Sequence, residues 1–203
     1  MREDVKEGYE KGDYESDYRQ GREVRGKEKE LFRKLFDEIP ENSRVLDLGC
    51  GTGLPFDRFL VEQGFDVLGV DIAEKHVEMA EENVPEGKFV AGDFFEQDFR
   101  SGSFDAVVSM YAIFHIPRDE HLELFQKMHD WLAKDGAILV TLGAEEMDGF
   151  RDEIGGEELV WSSYSPEKSL ELLEKAGFEI IETYTENYRD ESHFWILATP
   201  ADR

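Results

Sequence analysis

Between Arg44 and Gly143, short apolar segments alternate with amphipathic helical segments, and this alternation constrains the fold more than any other feature. It predicts a parallel sheet with helices on both faces, because each crossover helix returns the chain to the same edge of the sheet. Two apolar segments near the end of the sequence flank a polar turn and predict a β-hairpin, which adds an antiparallel strand. The predicted strands are 45–48, 65–70, 88–91, 104–109, 137–142, 178–184 and 192–198.

Two regions depart from the alternation. Residues 1–24 are polar and rich in glycine, and we expect them to form a loosely packed, lid-like leading segment of a single domain that spans 1–203. Residues 143–166 carry no repeated pattern, and we expect a long loop that serves as a substrate-side insertion, since long loops in compact domains are often functional. Tyr9, Tyr14, Tyr18, Trp161 and Tyr164 either form a lid or pack as ordinary surface residues.

Charge narrows the classes of partner. The sequence has 48 acidic and 23 basic residues, a formal net charge of −25, which repels nucleic acid and makes a small-molecule substrate the expected partner. Such an acidic protein is also compatible with a salt-rich medium, in which self-repulsion is screened. The charge leaves the oligomeric state open. A basic cluster is interpreted as a solvated helical face, with a local anion site as the alternative; it comprises Arg19, Arg22, Arg25, Lys27 and Lys29.

Location is predicted from two observations. Cys50 is the single cysteine, which excludes an internal disulfide and is typical of a reducing compartment. The first residues lack the apolar stretch of a signal peptide, and no run of eighteen apolar residues occurs. We therefore expect a cytoplasmic protein with no membrane segment.

The most informative segment is 45–53 (VLDLGCGTG), in which a buried strand leads into three glycines and then a helix. Glycines let a ligand approach the main chain closely. A carboxylate at the tip of the second strand, Asp71, can accept hydrogen bonds from the two hydroxyls of a ribose. The spacing G-x-G-x-G differs from the pyrophosphate fingerprint, and Asp47 would repel phosphate but attract an ammonium or sulfonium group. These features favour S-adenosylmethionine (SAM) over NAD.

At this point the sequence resembles the class I SAM-dependent methyltransferases of the small-molecule type. DLGCGTG at 47–53 resembles their first motif. GVDI at 69–72 resembles the acid that ends their second strand, and GDF at 92–94 resembles the motif that contacts adenine.

The resemblance extends through the second half of the chain. FDAVVSM at 104–110 is similar to the fourth-strand motif beneath the methionine moiety. LAKDGAILV at 132–140 is similar to the lead into the fifth strand, with Asp135 where many members have Gly or Pro. AGFE at 176–179 resembles the start of the sixth strand, so the match runs in the expected order from about residue 29 to residue 198.

The resemblance implies a fold, a cofactor and a set of site residues. The fold is a Rossmann-like three-layer α/β/α sandwich, with a seven-stranded, mostly parallel sheet whose last strand is antiparallel. The cofactor is SAM, bound beyond the carboxyl ends of the parallel strands. The resemblance assigns Gly49, Gly51 and Gly53 to the methionine portion, Asp71 and Ile72 to the ribose, Asp93 and Phe94 to the adenine, and Ser109 and Met110 to the sulfonium.

The remaining candidates each have two interpretations. His115 is either a general base for the methyl acceptor or a histidine that caps a loop before Pro117. Tyr111 either contacts the substrate or packs in the core. Cys50 is interpreted as a small buried hydrophobe, with a nucleophile as the alternative. The spacing of the histidines matches no zinc pattern, so we expect no metal site.

The predicted function is transfer of a methyl group from SAM to an O, N, S or C nucleophile of a small molecule. Two alternatives stay open. A non-catalytic SAM-binding regulator would share every cofactor motif, because none of these motifs by itself performs chemistry. An NAD-dependent oxidoreductase would share the sheet but not the glycine spacing.

Overall fold

A computed structural model describes residues 1–12, 22–154, 156–188 and 191–201. Tyr14, Tyr18 and Arg19, which the sequence analysis singled out, lie outside these residues. Within the described ranges, no helix is both long and apolar enough to cross a membrane.

Seven strands form one sheet in the order β3-β2-β1-β4-β5-β9-β8, and two more strands form a separate hairpin. Neighbouring strands from β3 to β5 are parallel, whereas β9 is antiparallel to both β5 and β8. The predicted α/β fold, with its last strand antiparallel, is therefore confirmed. The strands are β1 Arg44–Leu48, β2 Asp66–Asp71, β3 Lys88–Ala91, β4 Phe104–Ser109, β5 Leu132–Gly143, β6 Met147–Ile154, β7 Glu157–Ser163, β8 Phe178–Tyr188 and β9 Glu191–Pro200.

The helices cover both faces of the sheet, because strand residues alternate between the two faces and both faces are apolar. Val45 of β1 belongs to a buried cluster with residues of α2 and α3, whereas its neighbour Leu46 belongs to a second cluster with residues of α5. The helix α6 adds Leu173 to that second cluster. The helices are α1 Arg2–Lys11, α2 Gly26–Glu38, α3 Phe56–Glu62, α4 Glu74–Asn83, α5 His121–Trp131 and α6 Pro166–Lys175.

The leading segment differs from the prediction. Residues 2–11 form a helix that packs against β7 and α4, with Val5 and Gly8 buried, so this part is not loosely packed. A side chain at Gly8 would place its Cβ 2.5 Å from Leu159 Cδ2, which shows how closely α1 lies on β7.

The insertion also differs from the long loop that was predicted. Residues 147–163 form an antiparallel hairpin of β6 and β7, which pair from Met147 to Ile154 with a register shift after Asp148. The hairpin was not predicted because this register shift interrupts the polar and apolar alternation on which strand prediction depends. The side chain of Phe150 in this hairpin is exposed.

Candidate active site

The glycine loop follows β1, and two of its glycines serve different purposes. The backbone of Gly49 has φ +81°, and a Cβ there would lie 2.2 Å from Ala112 Cβ, so the loop needs glycine for close packing. Gly51 has φ +55°, and a Cβ there would meet no atom of the described residues within 4 Å. Its main chain is therefore open to a ligand.

Gly53 has a structural role in this loop. It also has positive φ, and a Cβ there would lie 3.0 Å from Val84 Cγ2 beside α4. Gly53 is not among the residues that line the cavity described below, and its predicted contact with the methionine portion stays a prediction.

Asp71 ends β2 and ties the glycine loop to the next turn. Its Oδ2 accepts a hydrogen bond from Gly51 N at 2.8 Å, and its Oδ1 accepts one from Ala73 N at 2.9 Å. Burial alone would raise the pKa of Asp71, but the His76 ring, whose Nδ1 lies 3.4 Å from Oδ1, and the two amide hydrogen bonds outweigh it and lower the pKa. A carboxylate oxygen has two lone pairs, so Asp71 keeps acceptor capacity for ribose hydroxyls.

A cavity of about 700 Å³, which includes its open mouth, lies where β1, β2 and β4 end. This is the carboxyl edge of the parallel strands, the edge at which ligands bind in open α/β sheets. The predicted site residues that line it are Asp47, Gly49, Gly51, Asp71, Ile72, Phe94, Met110, Tyr111 and His115. Sequence reasoning assigned no role to several other lining residues, which are Val5, Thr52, Leu54, Phe56, His76 and Ala112.

Two predicted site residues lie behind the cavity wall. Ser109 is fully buried, and its hydroxyl donates to Leu48 O at 2.7 Å, which links β4 to β1. Asp93 accepts a hydrogen bond from Phe95 N at 2.9 Å and pairs with Arg2 Nε at 2.8 Å. Both therefore hold the walls together, and their predicted contacts with the cofactor stay predictions.

His115 lies in a 3₁₀ turn after β4 and is buried. Its Nδ1 lies 2.8 Å from Val160 O, and its Nε2 lies 2.8 Å from the Tyr9 hydroxyl. A carbonyl can only accept, so we assign the proton to Nδ1 and leave a lone pair on Nε2, to which Tyr9 donates. Burial lowers the pKa of His115 to about 4, so the ring is neutral at neutral pH.

Helix α1 forms the roof of the cavity through contacts at both of its ends. Arg2 pairs with Asp93 and with Glu120 at its beginning. Near its end, Glu10 accepts a hydrogen bond from Glu74 N at 2.6 Å. The roof therefore spans from the adenine motif to the start of α4.

Tyr111 belongs to a polar cluster beside the cavity. Its hydroxyl lies 2.9 Å from Glu186 Oε2, 3.2 Å from Glu28 Oε1 and 3.1 Å from Arg22 Nη2. Burial is the main reason that the pKa of Tyr111 is raised, so the phenol keeps its proton. Trp195 Nε1 donates to the same Glu186 oxygen at 3.3 Å. Among the described residues, this cluster contains one cation, that of Arg22, and the two carboxylates of Glu28 and Glu186.

The Cys50 thiol is not activated. Burial, with Asp57, Asp71 and Asp47 nearby, raises the pKa of Cys50 well above its usual value, so the thiolate is disfavoured. In the part of the chain that the structure describes, no group of three or more His, Cys, Asp or Glu side chains is arranged to hold a metal ion.

Trp161 and Tyr164 occupy different positions. The Trp161 ring lies 5.3 Å from the His115 ring, on the hairpin beside the roof. The Tyr164 ring lies 6.2 Å from the His121 ring, beneath the guanidinium of Arg118. Of the two, Trp161 is the one placed next to a residue of the cavity.

Comparisons with known proteins agree with this geometry. Residues 45–136 match the family described as "Methyltransferase domain". The chain is 34% identical over 130 residues to a phosphoethanolamine N-methyltransferase of Plasmodium falciparum, and the match covers 61% of this chain and 49% of that protein. The chain thus spans about half the length of this relative.

Solved structures share the fold. A SAM-dependent methyltransferase of Methanosarcina mazei has a TM-score of 0.72 at 20% identity, covering 84% of this chain and 98% of that one. The [4+2]-cyclase SpnF has a TM-score of 0.68 at 17% identity, covering 90% of this chain and 86% of that one. Residues 45–136 thus match the methyltransferase domain family, and the resemblance to the class I SAM-dependent methyltransferases that the sequence predicted is confirmed.

SAM is the cofactor of this family, and the residues present fit it. The open main chain at Gly51 leaves room for the methionine portion, and the buried carboxylates of Asp47 and Asp71 suit a ligand with an ammonium and a sulfonium group. The apolar side chains of Ile72 and Phe94 line the same cavity and suit the adenine ring.

Proposed function

We propose that this chain transfers the methyl group of SAM to a small-molecule acceptor. One observation carries the proposal: a single cavity joins the acid-lined glycine loop to Nε2 of His115, a neutral imidazole nitrogen whose lone pair accepts a hydrogen bond from the Tyr9 hydroxyl. The acid-lined glycine loop supports binding of a cationic cofactor. Nε2 of His115 supports removal of a proton from an acceptor.

The cofactor site uses groups that are already in place. Gly49 and Gly51 would border the methionine portion, Asp71 would accept from the ribose hydroxyls, and Phe94 would lie against the adenine. When bound, SAM supplies a methyl group on a positively charged sulfur. The chain then contributes orientation and exclusion of water, since α1 covers the cavity with Val5 and Tyr9.

The acceptor would bind where the Tyr9 hydroxyl now lies. That hydroxyl donates to Nε2 of His115 at 2.8 Å, so an O–H or N–H group in the same position would give its proton to this nitrogen. The carbonyl of Val160 holds Nδ1 and stabilises the imidazolium that forms. A low pKa makes His115 a weak base, and proton removal would therefore accompany methyl transfer rather than precede it.

The acceptor class follows from charge and enclosure. The net charge of −25 disfavours anionic polymers and favours a neutral or cationic molecule. The roof formed by α1 favours a small one. The Plasmodium falciparum relative is named for phosphoethanolamine, which supports a small acceptor but not the absence of negative charge on it.

Calorimetry with SAM, in low and in molar salt, tests the cofactor half. We expect Asp71→Asn to weaken binding by about tenfold, the loss typical of a hydrogen bond to a charged group, and the exposed Asp66→Asn to leave it unchanged. Absence of SAM binding by the unmodified protein in both salts would refute the proposal. Binding of NADH instead would favour the oxidoreductase.

Turnover tests the chemical half. The production of S-adenosylhomocysteine is followed with a panel of small amines, phenols and thiols. We expect His115→Gln to abolish turnover while it leaves SAM affinity within about threefold, an effect on the transition state alone. The fold also supports a cyclase, SpnF, so SAM binding without turnover on any acceptor would favour a different use of the cofactor.

A further inference from the structure

The proposed reaction leaves one buried acid without a role. Asp57 lies in the first turn of α3, with no exposed surface. Neither of its carboxyl oxygens accepts a hydrogen bond from an amide, hydroxyl or ammonium group of the described residues. A buried carboxylate without donors is strongly disfavoured, so this group needs a different explanation.

Within the described residues, the charged groups that act on Asp57 are acidic. Its carboxyl contacts that of Asp47 on β1, which is itself buried and lines the cavity. Asp71 on β2 and the Cys50 thiol in the glycine loop also lie within electrostatic range. Two carboxyl groups in contact are both hydrogen-bond acceptors when ionised, and they form a stable pair only when one carries a proton.

Burial and the neighbouring carboxylate both favour a proton on Asp57. Burial, followed by the charge and the hydrogen bond of Asp47, raises the pKa of Asp57 well above its usual value. Asp57 is the more enclosed of the two carboxyls, since Asp47 borders the cavity. The proton of the pair therefore belongs on Asp57.

We propose that Asp57 is a positioning residue for the cofactor: it carries a proton at neutral pH and donates it to Asp47, which thereby presents one fixed carboxylate to the cavity. This inference rests on the proposed binding of SAM. The donated hydrogen bond fixes the orientation of the Asp47 carboxyl from behind, so the opposite edge faces the positively charged portion of the ligand. Asp57 would thus act on the cofactor only through Asp47.

Infrared spectroscopy tests the proton in the cofactor-free protein. We expect the carbonyl stretch of a protonated carboxylic acid at neutral pH, and we expect Asp57→Asn to remove it. The control Asp71→Asn should retain it, because Asp71 accepts amide hydrogen bonds and its pKa is lowered. A wild-type spectrum without this band at neutral pH would overturn the proposal.

Calorimetry with SAM tests the positioning role. An asparagine at residue 57 keeps a donor for Asp47, so Asp57→Asn should bind SAM within about threefold of the unmodified protein. Asp57→Ala removes the donor and should weaken binding by about tenfold, the loss typical of a hydrogen bond to a charged group. Asp47→Asn combined with Asp57→Ala should bind no more weakly than Asp47→Asn alone, because both changes act through one carboxylate.

The outcomes separate the two proposals. Melting curves verify that each variant is folded, and Asp57→Asn provides the test if Asp57→Ala does not fold. Unchanged SAM affinity in folded Asp57→Ala, or an Asp57→Asn affinity at least about tenfold weaker, would overturn the role of Asp57 while leaving the proposed function intact. An unmodified protein that shows the infrared band but binds no SAM would refute the proposed function, and with it the role of Asp57 toward the cofactor.

Discussion

Two buried histidines make the stability of this protein depend on pH in a defined window. His115 and His121 are each buried, with ring nitrogens close to backbone carbonyls. Burial lowers the pKa of each to about 4, from an ordinary value of 6.5. The folded state therefore resists protonation, whereas the unfolded chain takes up a proton on each histidine near pH 6.5. Their contribution to stability is fully present above that pH and is lost as the pH falls toward 4.

The size of the effect follows from the two pKa values. Between pH 7 and pH 5 the unfolded chain gains about 0.7 proton on each histidine, and the folded chain gains about 0.1. Linkage gives a loss of about 2 kcal/mol in the free energy of unfolding for each histidine over this interval. Protonation of surface carboxylates acts in the opposite direction, because it relieves self-repulsion at a net charge of −25.

Urea unfolding in molar potassium chloride separates the two effects, since salt screens the surface charge. The measured quantity is the difference in unfolding free energy between pH 7 and pH 5. We expect His121→Gln to reduce this difference by about 2 kcal/mol, and the partly exposed His129→Gln to serve as the control. Equal pH dependence in His121→Gln and the unmodified protein would show that this histidine is not held neutral by burial.

Three further predictions concern packing and reactivity. Gly49→Ala should lower the free energy of unfolding by more than about 2 kcal/mol in urea titrations, because its Cβ would lie 2.2 Å from that of Ala112; a smaller loss would contradict the packing argument. Arg2→Ala should speed amide hydrogen exchange in α1 but not in β1, because the roof loses its ion pair with Asp93; unchanged exchange in α1 would argue against this anchor. Cys50 should react with a disulfide reagent at pH 8 only after denaturation, and rapid reaction of the folded protein would contradict its raised thiol pKa.

The sheet could be predicted because its signals are local. Each buried strand is a short apolar run, and the glycine loop and Asp71 mark the edge at which the cavity forms. The edge hairpin was also predicted, although β8 and β9 extend further toward their turn than expected. Helix α1 was not predicted, because it is mostly polar and is stabilised by contacts with elements distant in sequence.

The site could be predicted only in part, because motifs show which residues are near a ligand but not which atoms bond to one another. For His115, the sequence left a base and a loop cap equally open, and the carbonyl of Val160 settles the tautomer from 45 residues away in sequence. Ser109 and Asp93 lie at the predicted positions, yet their side chains bond to the protein. Cytoplasmic location, nucleic-acid exclusion and the single domain stay predictions.

Helix α1 closes the cavity through contacts with segments that are distant in sequence. Asp4 of this helix meets Arg151 of the hairpin across 147 residues of sequence, and Tyr9 meets His115 across 106. Contacts between such distant segments form late in folding, after the local strand and helix units. Several of these contacts are part-buried or exposed, so detaching the helix requires no strand of the seven-stranded sheet to separate. The cavity is therefore closed by a helix that joins the domain through contacts with segments distant in sequence, while the seven-stranded sheet is formed without it.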